Sequence, residues 1–392
     1  MSRPVVLQVM PALAHAGDRI ALDIAGAVRA DGGTPLIAST GGPLAAELPR
    51  FEARHFRLAL DRRNPLGMLA TALKLARLIR IEEVDIVHAR GMEAAWPAYL
   101  AARRTGRALV TTFDLGRPAE RALLRFYAAV LARGDRVIAV SDFAARLAYE
   151  QHKVDDRRLR LVRRGIDIEH FDPARVGAPR MIRLARQWNL PDDLPVLMLP
   201  GRLLPHNGHA LLIEALARLQ TRPFYCLVVG AEGADPHYSA ELEAKAKAAG
   251  LGGRFHIVPE CRDMPAAYML ADLVVHVAGG SEAFSLVLAE AQAMGRPVVA
   301  VDHGSAREQI AGNEMAWLAP AGDAPALAHA IEAALDLPPD IRARLAGETA
   351  QRIRARYAKS LMCAATLAVY RELLERPGWR AAAALTGASI PS

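Results

Sequence analysis

Short runs rich in β-branched residues alternate with Ala- and Leu-rich amphipathic segments along nearly the whole chain. That alternation restricts the fold to α/β architectures with mostly parallel sheets. The first series predicts strands at Val5–Met10, Pro35–Ser39, Ile86–His88, Leu109–Thr112, Val137–Val140 and Leu161–Val162. Between them, helical periodicity predicts helices over Ile20–Ala30, Gly67–Ile81, Glu93–Arg104, Ala119–Arg133 and Asp142–Gln151. The pattern lapses over 172–192 and restarts, with strands expected at Val196–Leu199, Tyr225–Val229, Phe255–Val258, Leu273–Val277 and Pro297–Val301. Helices are expected at about Ala210–Arg218, Ser239–Ala249, Met264–Ala271 and Ser285–Met294.

Two such series in 392 residues predict two Rossmann-like doubly wound parallel-sheet domains facing across a cleft, over 1–172 and 173–359. A C-terminal helix at about 360–377 is expected to pack back onto the first domain. Ligands of such sheets bind beyond the carboxyl ends of the strands, so function is sought in the loops that follow them.

Charge is divided unevenly. Residues 1–170 hold 27 Lys plus Arg against 19 Asp plus Glu, a net of +8, and residues 171–392 hold 22 against 23, a net of −1. A solvated basic face and an anionic partner of the first half both fit this. Cys226, Cys261 and Cys363 lack metal-ligand spacing, and an odd count gives no disulfide framework, which suits a reducing cytoplasm. The apolar start is short and broken by Pro11, so it reads as a buried first strand rather than a secretory signal. No stretch approaches the roughly 18 apolar residues of a membrane-spanning helix.

Several chemistries lose ground. Met10 is followed by Pro-Ala-Leu-Ala-His-Ala-Gly, without the spaced glycines of a dinucleotide fingerprint. No Gly-Lys-Ser/Thr occurs and there is no nucleophile elbow. His206 and His209 have no third ligand nearby, so no metal site is expected. Nucleic acid is also disfavoured, because no recognition motif or aromatic-basic platform is present.

The most informative segment runs from Gly279 to Ala300: a glycine loop after a strand, Glu282, a helix start near Phe284, Glu290, and a helix stop at Gly295 before Pro297. Unpaired amides at Ala283, Phe284 and Ser285, with the helix dipole behind them, would suit phosphate or sugar oxygens. Glu290 lies eight residues after Glu282, about 12 Å along a helix. Two carboxylates so placed can touch opposite ends of an elongated ligand but are too far apart for a glycosidase pair.

This segment resembles the signature of family 4 glycosyltransferases of the GT-B fold, with its two spaced glutamates and the run Ala293-Met294-Gly295-Arg296-Pro297-Val298-Val299. Further segments are similar to the same family: Asp85-Ile86-Val87-His88-Ala89-Arg90, Arg136–Ser141, Arg164-Gly165-Ile166-Asp167 with Phe171 and Pro173, and Gly201-Arg202-Leu203 with Gly208 and Leu211–Leu216. The resemblance implies sugar transfer from a nucleotide-sugar donor with retention of configuration, without metal or other cofactor. It implies that Glu290 holds the donor ribose, that Glu282 meets sugar hydroxyls, and that Phe284, Ser285 and Leu286 lie along sugar and phosphate oxygens. Arg202 would neutralise the diphosphate. Gly230 and Arg262 would lie by the base, Gly17 in a loop over the diphosphate, and His88 and Arg90 on the acceptor side.

The chain departs from the family at four places. Asn207 replaces the usual Lys before Gly208, Asp114, expected to be catalytic with Glu282 and Arg202, stands where many relatives carry a His, Ala16-Gly17-Asp18 replaces a double-glycine loop, and Ser285 replaces a common Gly. Arg262, His206 or His209 could replace the cation absent at Asn207. A lapsed member that binds nucleotide sugar or a protein partner without turnover therefore stays open, as does an epimerase or phosphorylase of the same fold. The resemblance further implies a glycan or lipid-linked acceptor in bacterial envelope polysaccharide or lipopolysaccharide synthesis, and a cytoplasmic protein at the inner face of the membrane. The segment Arg117–Arg133, with apolar residues among arginines, could dock on anionic lipid or be an ordinary buried helix.

Overall fold

The computed structural model describes residues 3–62, 64–116, 122–230, 235–258, 261–279 and 283–375. The chain divides into two compact units, one of Met1–Gly165 joined by the segment from Lys359 onward, the other of Ile166–Ala358.

The first unit is built on β1 (Val5–Val9), β2 (Thr34–Ser39), β3 (Arg54–Arg57), β4 (Ile86–Ala89), β5 (Ala108–Phe113), β6 (Arg136–Ala139) and β7 (Leu159–Leu161). They form one sheet in the order β3-β2-β1-β4-β5-β6-β7, every pairing parallel. The central strands are apolar because helices cover both faces of such a sheet. β3 was not expected: as an edge strand reading Arg-His-Phe-Arg it has no apolar run to mark it. The helix Pro65–Ile81 begins before its apolar pattern does, because Asn64 caps it, its side chain accepting from the Gly67 amide at 2.6 Å, with Pro65 at the first turn.

The last helix, Lys359–Leu374, belongs to this unit. Its Met362, Val369, Tyr370 and Leu373 pack with Val6, Ile24, Ile86, Val110 and Ile138. Glu372 fastens it to the sheet, accepting from Arg136 Nε and Arg160 Nη2, each at 2.8 Å. Those two guanidiniums, Arg160 foremost, hold the Glu372 carboxyl down at about 2.

The second unit carries β8 (Val196–Pro200), β9 (Tyr225–Val229), β10 (Phe255–Val258), β11 (Leu273–His276), β12 (Val298–Val301) and β13 (Ala316–Ala319). Their order is β10-β9-β8-β11-β12-β13, again all parallel. Strand order reverses at β8, so loops after β8 and β11 flank the switch point where such sheets take ligands. The stretch over 172–192 contains an amphipathic helix, Ala178–Gln187, whose start is obscured in the sequence by Pro173, Gly177 and Pro179. The chain leaves the first unit at Gly165, seven residues before the expected boundary at 172, and returns at Lys359, within one residue of the expected one. The outgoing and returning strands lie side by side: the Ile166 amide donates to the Tyr357 carbonyl at 2.8 Å, and Ile166 pairs with Ala358.

Candidate functional site

In the second unit a recess opens at the carboxyl ends of β8 and β11, lined by Arg202, Asn207, His209 and His276 together with residues 199–201 and 277–278. Glycines let the loops close on one another there. Gly208 has φ +78 and a Cβ on it would overlap the Val277 carbonyl; Gly230 has φ +128 and a Cβ would overlap the Gly201 carbonyl. Gly230 thus serves close approach of the loops after β8 and β9. The Asn207 side chain donates to the Arg202 carbonyl at 2.7 Å, pinning the turn that leaves the Arg202 side chain exposed.

His209 does not replace the cation absent at Asn207. It is fully buried, its ring edge-on to Tyr238, and burial pushes its pKa down to about 4, so it is neutral at pH 7. His276, at the end of β11, is likewise brought to about 4, by burial first and His303 second. Arg262 lies apart from this group, lining a different recess with Arg180, Arg183 and Trp188. Arg180 there is engaged by Asp263, Nε to Oδ2 at 2.9 Å.

Glu290 sits on the helix Leu286–Ala293, which Ser285 caps, its hydroxyl oxygen accepting from the Leu288 amide at 3.3 Å. The Tyr268 hydroxyl donates to Glu290 Oε2 at 2.9 Å. Burial raises the Glu290 carboxyl to about 7, and the tyrosine bond opposes the rise only in part. Tyr268 is fully buried, edge-on to Phe171.

The helix start corrects one expectation. The Ser285 amide is not open to a ligand: it donates to Gln309 Oε1 at 2.8 Å, while Gln309 Nε2 donates back to the Ser285 carbonyl at 2.8 Å. Gln309 also accepts from the Ser305 hydroxyl at 3.0 Å, and a buried network continues through Gln292, Asn313 and Thr349. Phe284 is a core residue, 4% exposed with its ring 5.3 Å from that of Tyr357. Leu286 is the first helical residue, and among the described residues no acceptor meets its amide or that of Val287. Glu282 lies outside the described residues.

In the first unit, Gly17, Arg90, Asp114 and Arg164 follow β1, β4, β5 and β7, so all lie at the carboxyl edge of one sheet. Arg164 Nη2 donates to the Gly17 carbonyl. Arg90 is 9% exposed, with no acceptor for its Nε. Burial raises the Asp114 carboxyl, opposed by the charges of Arg164 and Arg90. His88 does not reach an acceptor-side surface: it is fully buried, Nδ1 2.6 Å from the Tyr370 hydroxyl and Nε2 2.8 Å from Thr112 Oγ1. The Arg117–Arg133 segment is mixed: its first five residues lie outside the described ones, Leu123 is 80% and Phe126 62% exposed, and Val130 and Leu131 are buried.

Tyr268, His276 and Gln309 escaped the sequence reading. Tyr268 and His276 are lone polar residues in apolar runs, Gln309 is one of several polar residues in its helix, and none has spacing to a partner that could announce it. Among the described residues no three His, Cys, Asp or Glu gather as metal ligands, and no helix is long and apolar enough to cross a membrane.

Residues 182–352 match the family model described as glycosyl transferases group 1, and residues 17–170 match that of glycosyltransferase family 4. A D-inositol 3-phosphate glycosyltransferase of Xylanimonas cellulosilytica is 31% identical over 314 residues, covering 74% of this chain and 73% of the relative. That of Salinispora tropica is 29% identical over 309 residues, covering 69% of this chain and 63% of the relative. Among solved structures, a glycosyltransferase from Rickettsia africae superposes with TM-score 0.87 at 27% identity, over 96% of this chain and 100% of its own. The HepE protein of Anabaena, solved with UDP and glucose, gives 0.80 at 22% identity, over 96% of this chain and 100% of its own.

Proposed function

Because the chain belongs to the family 4 glycosyltransferases, with two parallel-sheet units of the GT-B type, we propose that it transfers a sugar from a nucleotide-sugar donor to a glycan or lipid-linked acceptor with retention of configuration. The observation that carries this reading is Glu290, a carboxyl held by Tyr268 on the helix after β11. Ribose hydroxyls donating to Glu290 would favour its ionised form, so donor binding and loss of the Glu290 proton are coupled. The HepE structure contains UDP, which supports a nucleoside diphosphate as the leaving group.

In this mechanism the anomeric C–O bond to the diphosphate breaks as the acceptor oxygen bonds the same carbon. The acceptor proton passes to the departing phosphate oxygen, and no protein base is required. Arg202, exposed beside the recess, stabilises the growing charge on the diphosphate. Glu282 steadies the sugar hydroxyls, and the open amide of Leu286 faces the phosphate oxygens. Asp114, under the charges of Arg90 and Arg164, would be the catalytic group that the first unit contributes. The relatives' name carries a phosphorylated polyol, which agrees with an anionic acceptor and with the +8 charge of residues 1–170. Envelope polysaccharide or lipopolysaccharide synthesis at the cytoplasmic face of a membrane suits such an acceptor.

Calorimetric titration with UDP and GDP, repeated on Glu290→Ala, tests donor binding; no heat with either nucleotide, or heat unchanged by the substitution, would overturn it. Release of nucleoside diphosphate from a donor panel with membrane glycolipid tests transfer. A second reading, binding without turnover, rests on Asn207, whose amide is tied to a backbone carbonyl, and on the neutral His209. Bound donor with no release across the panel, and a large gain in Asn207→Lys, would favour it.

A further inference from the structure

A second recess, of about 350 Å³, lies in the first unit and is lined by Tyr99, Arg103, Arg133, Gly134, Asp135 and Arg158. It belongs to the opposite end of the sheet from the residues discussed so far. Arg133, Gly134 and Asp135 precede β6 and Arg158 precedes β7, whereas Arg90 and Asp114 follow β4 and β5 of the same parallel sheet.

Three arginines against one aspartate line this recess, and none of the three is engaged in an ion pair there with any described residue. Among the described residues none of Arg103, Arg133 and Arg158 comes within 4.0 Å of a carboxylate. The one acid in the lining, Asp135, spends its Oδ2 on the Leu109 amide, which donates to it at 2.8 Å. Two of the three cations are also held in place. Arg133 lies over the rings of Trp96 and Tyr99, at 5.1 and 5.5 Å. Arg158 Nη1 donates to the Ala132 carbonyl at 3.1 Å, with the Gly134 carbonyl at 3.4 Å.

Gathering like charges is unfavourable unless an anion joins them, and the guanidiniums of Arg133 and Arg158, with Arg103 free to close on them, suit the oxygens of a phosphate ester. The volume exceeds what a bare ion needs and falls in the range of small-molecule pockets. We propose that this recess binds a phosphate ester at a site separate from the one that takes the donor. The ester could be a soluble phosphorylated compound or a lipid headgroup. The Trp96 ring that carries Arg133 also stacks on the exposed Phe126, at 5.8 Å, which makes the lipid source worth testing alongside the soluble one.

The test uses the full chain. Inorganic phosphate and glycerol 3-phosphate are titrated calorimetrically at low and moderate salt, and cosedimentation is measured with phosphatidylglycerol and phosphatidylcholine vesicles. The proteins compared are wild type, Arg103→Gln, Arg133→Gln, the double variant, and Arg104→Gln as an exposed neighbour outside the lining, each checked for folding by thermal melt. The expected result is binding that weakens about tenfold for each lining arginine lost, weakens with salt, and is unchanged in Arg104→Gln. Glycerol phosphate binding marks a soluble ligand; selective binding to phosphatidylglycerol vesicles alone marks a headgroup. Arg103→Gln, on the exposed side of its helix, keeps the test open if Arg133→Gln fails to fold. The proposal is overturned if wild type binds neither probe, or if folded lining variants bind as well as wild type. UDP titration of the same variants, expected unchanged, separates this result from failure of the donor reading.

Discussion

Glu290 combines two demands that oppose each other in the free protein. Its carboxyl ionises near 7 against 4.5 for an unperturbed glutamate, because burial penalises the charge more than the Tyr268 hydroxyl relieves it. The folded state therefore holds this proton more tightly than the unfolded state, and stability falls as pH rises from about 4.5 to about 7, with the loss complete above that. The size is about 3 kcal/mol at 1.36 kcal/mol per unit. Glu290→Gln should remove this dependence, so melts at pH 5 and pH 8 should differ less in the variant, while nucleotide affinity drops. Tyr268→Phe should act the other way on the acid: losing a hydrogen bond of about 1 kcal/mol raises the ionisation midpoint further. Nucleotide affinity measured against pH should then rise through a higher midpoint than in wild type. An unshifted midpoint would remove Tyr268 from the role of positioning residue.

At the level of the element, the helix Leu286–Ala293 is placed less by its own sequence than by Gln309, which grips both the amide and the carbonyl of Ser285. Gln309→Leu should leave two backbone groups unpaired in a dry setting and destabilise the second unit by about 2–4 kcal/mol, read from denaturant midpoints. Gly230→Ala should disturb the loops after β8 and β9, because the new Cβ meets the Gly201 carbonyl and φ is +128; a stability loss with weakened UDP binding is expected. These two positions mark the limit of what the sequence shows. Strands buried on both faces announce themselves as apolar runs, so Tyr225–Val229 was legible to the residue, and so was the partly buried edge strand Phe255–Val258, which keeps three apolar residues of four. Glu290 was expected on a helix ending at Gly295, and it lies on Leu286–Ala293; Glu282 lies outside the described residues. Gln309, Tyr268 and His276 were not, since each depends on a contact made across the fold. Expecting the Ser285 amide to be open was reasonable from helix geometry and wrong because a distant side chain had already taken it. Strand Arg54–Arg57 was missed for the opposite reason, since its charged edge residues dilute the pattern that burial imprints elsewhere; helix Ala178–Gln187 is amphipathic, and the Pro and Gly around its start obscured it.

For the whole molecule, the division into units is not a division of the chain into halves. The second unit begins and ends at the paired residues Ile166 and Ala358 and is continuous, whereas the first is completed by Lys359–Leu374. A chain stopped after Ala358 should lose the cover that Met362, Val369, Tyr370 and Leu373 give the first sheet, leave His88 without Tyr370, and free Arg136 and Arg160 from Glu372. Such a truncation should bind a hydrophobic dye and melt in two steps, the second unit keeping its own transition; a single undisturbed transition would contradict this. The same arrangement sets an order on synthesis. A ribosome delivers the first sheet well before the helix that closes it, so the part of the protein made first is the part finished last. The second unit can complete itself while its predecessor waits, and the waiting sheet is where a chaperone would be needed.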